Sequence, residues 1–349
     1  MAIASYNGAR FIREQLESIL RQTVPPEEII VSDDGSTDQT LEIIRDIAGS
    51  DLAKPGQIIL LTDNPIRGFA YNFAHAIRHC SGDIIFLCDQ DDIWLPDKVR
   101  HIADAYLRHP DALCVFHNAS SIDANGVPVA ATLNSFINDL SQSCQPGEII
   151  QLSCDSYCAV AASTPCVNGM IMSVSAQLLR SAFPFPPISS QHDGWLWFCA
   201  VARDGCFYLN EILTRRRLHS NNTSGAGKQG FGIQRIKKIL SHITRHNDVA
   251  RTRILFATHA EKYIVSYCSP EYPGISQASS AIRRTLEIGY AEIAAAKSGR
   301  LVGAVKLLRL FLKDKRYRKS GVKSFLYELA EILLCSKKTR VKILQEMPL

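Results

Sequence analysis

The sequence lacks any pair of cysteines at CxxC spacing, although it holds 11 cysteines scattered from Cys80 to Cys335. Several sit inside apolar runs, such as Cys88 in IIFLC and Cys199 in WLWFCAVA. That distribution excludes a disulfide frame and reads as reduced, mostly buried thiols. No segment reaches the roughly 18 uncharged apolar residues of a membrane-spanning helix. Met1 runs straight into AIASYNG, without the basic and apolar regions of a secretory leader. A cytoplasmic protein is therefore expected. There is no internal repeat, no low-complexity tract and no basic motif with interleaved aromatics, so nucleic acid is not an expected partner. What is present is 349 residues, 46% hydrophobic and 21% charged, which is ordinary globular usage. Such a chain buries a full core without disulfides or structural metal. The formal net charge is +5, and the basic excess gathers after about Arg215.

Residues 1 to about 118 alternate between short apolar runs and helical patterns. Strands are expected at Ala2 to Ser5, Ile29 to Val31, Ile58 to Leu61 and Ile84 to Cys88. Between them, Phe11, Ile12, Leu16, Ile19 and Leu20 recur at helical spacing, as do Leu41, Ile44 and Ile47, then Phe69, Phe73 and Ile77. Strands alternating with helices of this length predict βαβ units and a mostly parallel central sheet covered on both faces. The first strand is short for the centre of such a sheet, an indication that it starts upstream of Met1. From about Ala119 to Ser190 the pattern loosens, and a second compact stretch runs from Gln191 to Leu218. From about Gly232 onward the chain reads as helices with Lys and Arg on one side, for example Val302, Val305 and Leu308 against Lys306 and Arg309. The expected organisation is one α/β domain over residues 1–230, with halves meeting near 118, and a basic α-helical C-terminal region over 231–349.

In a doubly wound sheet, ligands bind beyond the carboxyl ends of the strands. Three strand ends here carry polar clusters: Ser5-Tyr6-Asn7-Gly8, Asp33-Asp34-Gly35-Ser36 and Asp89-Gln90-Asp91-Asp92. Taken singly, each also suits a turn or a helix cap. The third is harder to dismiss. Three carboxylates in four positions repel one another unless a cation or a donor sits between them. Hard oxygen ligands suit Mg²⁺ or Mn²⁺, which commonly share their coordination with substrate phosphates. The competing reading is a solvated turn, with Pro96 and Asp97 opening the next helix.

The run SYNGARFIREQLESILRQT, followed by IIVSDDGSTDQT, NPIRGFAYN and GDIIFLCDQDDIWLPDK, resembles the inverting family 2 glycosyltransferases. Four segments agree in order and spacing across most of residues 1 to 110. The resemblance implies a GT-A fold, a nucleotide-diphospho-sugar transferase sandwich. By position it implies that Tyr6 and Asp34 contact the base of a nucleotide-sugar donor, with Ser5, Asp33 and Asn72 in the same pocket. Asp89 and Asp91 match the family's DxD motif, which holds the ribose and the metal-diphosphate; Asp91 is the direct ligand and Asp92 a neighbour. Gln191-His192-Asp193-Gly194-Trp195 resembles the segment bearing the catalytic base, which would be Asp193. Its competing reading is a helix cap before WLWFCAVA. Arg215 to Asn222 resembles the loop that closes over the donor in bacterial members, so Arg217 is expected to neutralise the diphosphate and His219 to ligate the metal or assist the leaving group. Asn168, Gly169 and Trp195 are expected at the acceptor.

The implied partners are a dTDP- or UDP-linked sugar and a saccharide or lipid-linked saccharide, as in O-antigen or capsule synthesis. The wording DQDDIW and HDxW points within the family towards rhamnosyltransferases. The QxxRW motif of processive synthases is missing, which argues against a polymer synthase. The basic C-terminal helices suit either a solvated face or peripheral contact with an anionic membrane surface.

Three rival readings come from other classes. Gly225, Gly227 and Gly230 spell GxGxxG, the dinucleotide fingerprint, but they follow a polar loop instead of a first strand, as that motif requires. A sugar-1-phosphate nucleotidyltransferase would share the fold, yet carries a Gly-rich basic loop where this chain has SYNGARF. A non-catalytic nucleotide-sugar-binding protein would have shed its carboxylates, and Asp89, Asp91 and Asp193 are all present.

Overall fold

Four consecutive buried residues, Ala2–Ser5, form strand β1, and their burial on both faces places them at the middle of a sheet. The computed structural model describes residues 1–162, 166–186, 192–220, 222, 254–268 and 273–297. After β1 come α1 (Ile12–Leu20), β2 (Ile29–Asp33), α2 (Thr40–Ala48), β3 (Ile58–Leu61), α3 (Phe69–Arg78) and β4 (Ile84–Cys88). The chain continues through β5 (Ile93–Trp94), α4 (Lys98–Arg108), β6 (Cys114–Ile122), β7 (Pro128–Val129), α5 (Ser135–Ser143), β8 (Ile149–Gln151) and α6 (Cys154–Ala161). It then forms β9 (Met172–Ser175), α7 (Ala176–Ala182), α8 (His192–Val201) and β10 (Cys206–Arg217). A helix over 254–267, α9, and a long helix α10 (Pro273–Lys297) follow.

The strands form one sheet in the order β3-β2-β1-β4-β9-β6-β10-β5, with β7 beside β6 and β8 beside β10. The expected parallel sheet is present in β3-β2-β1-β4. Beyond it β9 runs antiparallel to both β4 and β6, so the sheet as a whole is mixed. Ile3 and Val31 enter an apolar cluster with Ile12, Leu16 and Ile19 of α1 and Ile44 and Ile47 of α2. These helical residues recur at three- and four-residue spacing, which gives each helix one apolar face for the sheet. Helix α3 packs on β1 and β2, burying Ala70, Phe73 and Ile77.

The chain divides into two compact units. The first comprises Met1–Gly227 together with Tyr263–Ala278. Its later segment packs Tyr263 edge-on to Trp195, with ring centroids 5.5 Å apart, and seats Gly274 against Cys154, so that a Cβ at Gly274 would lie 2.3 Å from the Cys154 carbonyl oxygen. Of the second unit, residues 254–262 and 279–297 are described, and they are helical. The GxGxxG glycines and the basic stretch of Val302 to Lys315 lie outside the described residues.

Candidate active site

Parallel pairing sets Ser5 opposite Asp33 and Ile3 opposite Cys88, so the loops after β1, β2 and β4 leave the same edge of the sheet. The buried Ser5 hydroxyl donates to Asp33 Oδ2 at 2.7 Å. Asp33 also accepts from the backbone amides of Gly35 and Ser36, at 2.9 and 2.7 Å, and from the Ser36 hydroxyl at 2.6 Å. The turn needs Gly35 at φ 86°, a left-handed conformation that a side chain disfavours. Asn72, 2% exposed, donates to the carbonyls of Ser5 and Ser32 and accepts from the Ser32 hydroxyl.

The first loop is tied to both of its neighbours. Asn7 donates its amide to the Ser36 hydroxyl at 2.8 Å, and Gly8 donates to Thr40 Oγ1 at 2.8 Å. Gln90 grips the other side: its Oε1 accepts from the Tyr6 amide at 2.9 Å, and its Nε2 donates to the Tyr6 carbonyl at 3.0 Å. Tyr6 is thereby held by its backbone, and the residue stays 55% exposed. Beside it Asp34 accepts from the Gly68 amide at 3.0 Å and pairs with Arg67 at 3.7 Å.

Opposite lies the acidic loop. One carboxylate oxygen each from Asp89, Asp91 and Asp92 falls within 4.8 Å of the others. Burial, and then the charges of Asp92 and Asp91, push the Asp89 carboxyl well above the usual range. Burial and the neighbouring Asp91 raise Asp92 to about 7. Asp92 Oδ1 accepts from the Arg217 amide at 2.8 Å, while its buried Oδ2 has no hydrogen-bond partner. Asp91 Oδ2 faces His219 Nε2 at 2.8 Å, with Asn222 Nδ2 at 3.4 Å. The His219 ring leans on Phe11 with centroids 4.8 Å apart.

The last wall comes from α8. Asp193, in its first turn, accepts from the amides of Gly194 at 2.8 Å and Gly169 at 3.2 Å. Gly169 permits that approach, since a Cβ there would sit 3.2 Å from His192 Nε2.

These elements enclose one cleft of about 750 Å³. Of the residues expected at a site, Ser5, Tyr6, Asp34, Asn72, Asp89, Asp91, Asn168, Gly169, Asp193, Arg217 and His219 line it. Five residues differ from expectation in what the side chain does. Asp33 is absent from the lining, because its oxygens are consumed by Ser5 and by its own turn. Ser5 and Asn72 line the cleft with polar atoms already committed to the strands beneath it. Arg217 is 2% exposed: its guanidinium pairs with Glu14, donates to the Asp91 carbonyl at 2.9 Å and lies over Phe11. It braces the acidic loop, and Arg10 and Arg216 are the other arginines lining the cleft. Trp195, 3% exposed, lines a different cavity and donates its indole N–H to the Ala182 carbonyl at 2.9 Å. Arg67 and Gln90 were not anticipated. Both lie within the quoted motifs, but only the folded loops reveal their partners.

A family model described as Glycosyl transferase family 2 matches residues 1–159. A dTDP-rhamnosyl transferase of Shigella flexneri, RfbG, is 30% identical over 232 residues, covering 64% of this chain and 74% of that protein. The chain belongs to glycosyl transferase family 2. An uncharacterised glycosyltransferase of Nostoc sp. is 26% identical over 241 residues, covering 67% of this chain and 69% of its own length. Among solved structures, S. aureus TarS in complex with UDP matches with a TM-score of 0.55 and 14% identity, covering 99% of this chain and 89% of that one. That likeness is one of fold, and the family 2 domain has the GT-A fold. The family match includes the β1, β2 and β4 loops and ends before α8. Among the described residues, no helix is long and apolar enough to cross a membrane.

Proposed function

We propose that this family 2 enzyme transfers a sugar, with inversion, from a dTDP- or UDP-linked donor to a hydroxyl of a saccharide or lipid-linked saccharide acceptor in bacterial O-antigen or capsule synthesis. The observation that carries the reading is the convergence of the Asp89–Asp92 carboxylates, Tyr6, Asp34 and Asp193 on one cleft. A rhamnosyl donor is favoured by the similarity to RfbG. A lipid-linked acceptor would bring the enzyme to the inner face of the cell membrane, where its basic C-terminal region meets anionic lipid.

The exposed Tyr6 ring offers a stacking surface for the base, and Asp34 with Arg67 beside it supplies polar partners for the base edge. The three carboxylates fit a divalent cation: they lie within reach of one ion, burial and neighbouring charge raise Asp89 and Asp92, and Asp92 Oδ2 is buried without a partner. Asp91 and Asp89 would hold Mg²⁺ or Mn²⁺, with His219 beside Asp91, and the ion would supply positive charge for the departing diphosphate. Asp193 is held in place by two backbone amides and takes the proton from the acceptor hydroxyl. The acceptor oxygen forms its bond to the anomeric carbon from the opposite face, and the electrons of the breaking C–O bond leave with the nucleoside diphosphate. That geometry inverts configuration.

The test is nucleotide release from a panel of nucleotide sugars with Mn²⁺, Mg²⁺ or EDTA, on wild type and Asp91→Ala. Release of UDP or dTDP that requires metal and falls about a hundredfold or more in the variant is expected. Absence of binding and turnover with every donor and metal overturns the proposal.

A further inference from the structure

A second cavity of about 190 Å³ adjoins the cleft and shares one wall with it. One side is the face of α3 that carries Tyr71, Ala74, His75 and Arg78, and the other is Phe185 with Trp195 of α8. The shared wall is His192, which precedes Asp193. The His192 ring stacks on Phe73 with centroids 4.3 Å apart and meets Phe69 edge-on at 5.4 Å. It is 3% exposed, and neither ring nitrogen has a hydrogen-bond partner. Asn64, 7% exposed, lines the same cavity with its Nδ2 unpartnered, while its Oδ1 accepts from the Ile66 amide at 3.2 Å. Burial holds the His192 imidazole below its usual pKa, hence neutral.

Buried polar groups are nearly always hydrogen-bonded, and those left over in a folded protein call for a partner. Here they belong to two residues on one aromatic-lined cavity. A neutral imidazole offers one donor and one acceptor, and the amide Nδ2 offers donors. Aromatic walls with a few convergent neutral hydrogen-bonding groups suit a pyranose ring, whose C–H face packs on an aromatic ring while its hydroxyls exchange hydrogen bonds. The volume admits one ring and not a nucleotide.

We infer that this cavity is a saccharide subsite, which takes one pyranose unit of the acceptor on Tyr71 and Trp195, with Asn64 and His192 reading its hydroxyls. It rests on the glycosyl-transfer reading, and through His192 it would register the acceptor against Asp193. His192 is a positioning residue here, and specificity lies with Asn64 and Tyr71.

The experiment is saturation-transfer NMR on the full chain with the methyl glycosides of rhamnose, glucose, galactose, mannose and N-acetylglucosamine. UDP and dTDP binding is measured in parallel by calorimetry. The variants are Tyr71→Ala and Asn64→Asp, the second keeping the acceptor for Ile66 while removing the free donor. Ring-proton saturation of at least one glycoside is expected, falling about fivefold or more in each variant, the effect of one lost hydrogen bond or stacking contact. Nucleotide affinity should stay within about twofold, which also shows that the variants fold. Saturation of no glycoside, or saturation unchanged in both variants, overturns the subsite. Failure of wild type to bind any nucleotide counts against the donor reading alone, since the glycoside measurement stands without it.

Discussion

Asp193 and Asp89 line one cleft, yet their surroundings differ in kind. Asp89 is crowded by Asp92 and Asp91, which favour its protonated form, whereas Asp193 accepts from two backbone amides that orient its carboxylate. Asp193→Asn keeps the shape and one acceptor while removing the proton-accepting capacity. The turnover number is expected to fall by about 10²–10⁴-fold with nucleotide affinity unchanged, measured by product formation and by calorimetry. A comparable loss of nucleotide binding would instead place Asp193 in the donor site. The carboxylates were legible at this scale because their chemistry is local: three acids in four positions need no partner to be noticed. The brace that Arg217 gives the acidic loop was not legible, because its anchor, Glu14, lies 203 residues away in the chain and no local pattern announces it. Asp34 was expected at the base with Asp33 in the same pocket, and the sequence could not say that Asp33 is spent on its own turn. Only the register that sets Ser5 against Asp33 decides which of two adjacent acids turns inward.

Among the elements, the docking of α10 gives a sharp test. Its first turn lies against the start of α6, where the Gly274 amide donates to Asp155 Oδ1 at 2.7 Å. A Cβ at that position would meet the Cys154 carbonyl oxygen at 2.3 Å and Asp155 Cα at 2.5 Å, both of them backbone. Gly274→Ala is expected to cost about 1–3 kcal/mol, read as a fall in melting temperature of roughly 2–4 °C per kcal/mol. An unchanged melting curve would show that α10 does not seat there. Elements one to four of the sheet were readable from alternation alone, since each strand is an apolar run between helices with one apolar face. The antiparallel β9 and the two-residue β5 were not, because pairing partners, not local composition, make them strands. Trp195 was expected at the acceptor beside Asp193; the helical turn carries it to the adjoining cavity, where it is one wall of the inferred saccharide subsite.

Over the whole molecule, buried histidines tie stability to pH. Burial pushes His117 well below its usual pKa, with Lys98 nearby adding to the effect, and it lowers His192 as well. His117 Nδ1 faces the Asn118 carbonyl at 2.7 Å, so that nitrogen carries the proton in the neutral ring. The unfolded chain binds protons on these rings below about pH 6.5, whereas the folded chain does not. The contribution of these rings to stability is therefore full above that pH and lost as pH falls, with a slope of up to about 1.4 kcal/mol per pH unit for each such ring. The raised Asp89 and Asp92 carboxyls act in the opposite sense and are common to both proteins, so melting curves of wild type and His117→Leu from pH 8 to 5.5 should diverge, with wild type losing more stability as pH falls. A variant with the wild-type slope would remove His117 from the account.

The grip of Gln90 on Tyr6 couples that residue to position 8. Its amide occupies the space a Cβ at residue 8 would need, at 2.2 Å from Oε1, while satisfying both backbone groups of Tyr6. A side chain at position 8 therefore displaces the Gln90 amide and takes from Tyr6 both of these hydrogen bonds. Shortening Gln90 opens position 8 at the same cost to Tyr6, so the two positions constrain each other.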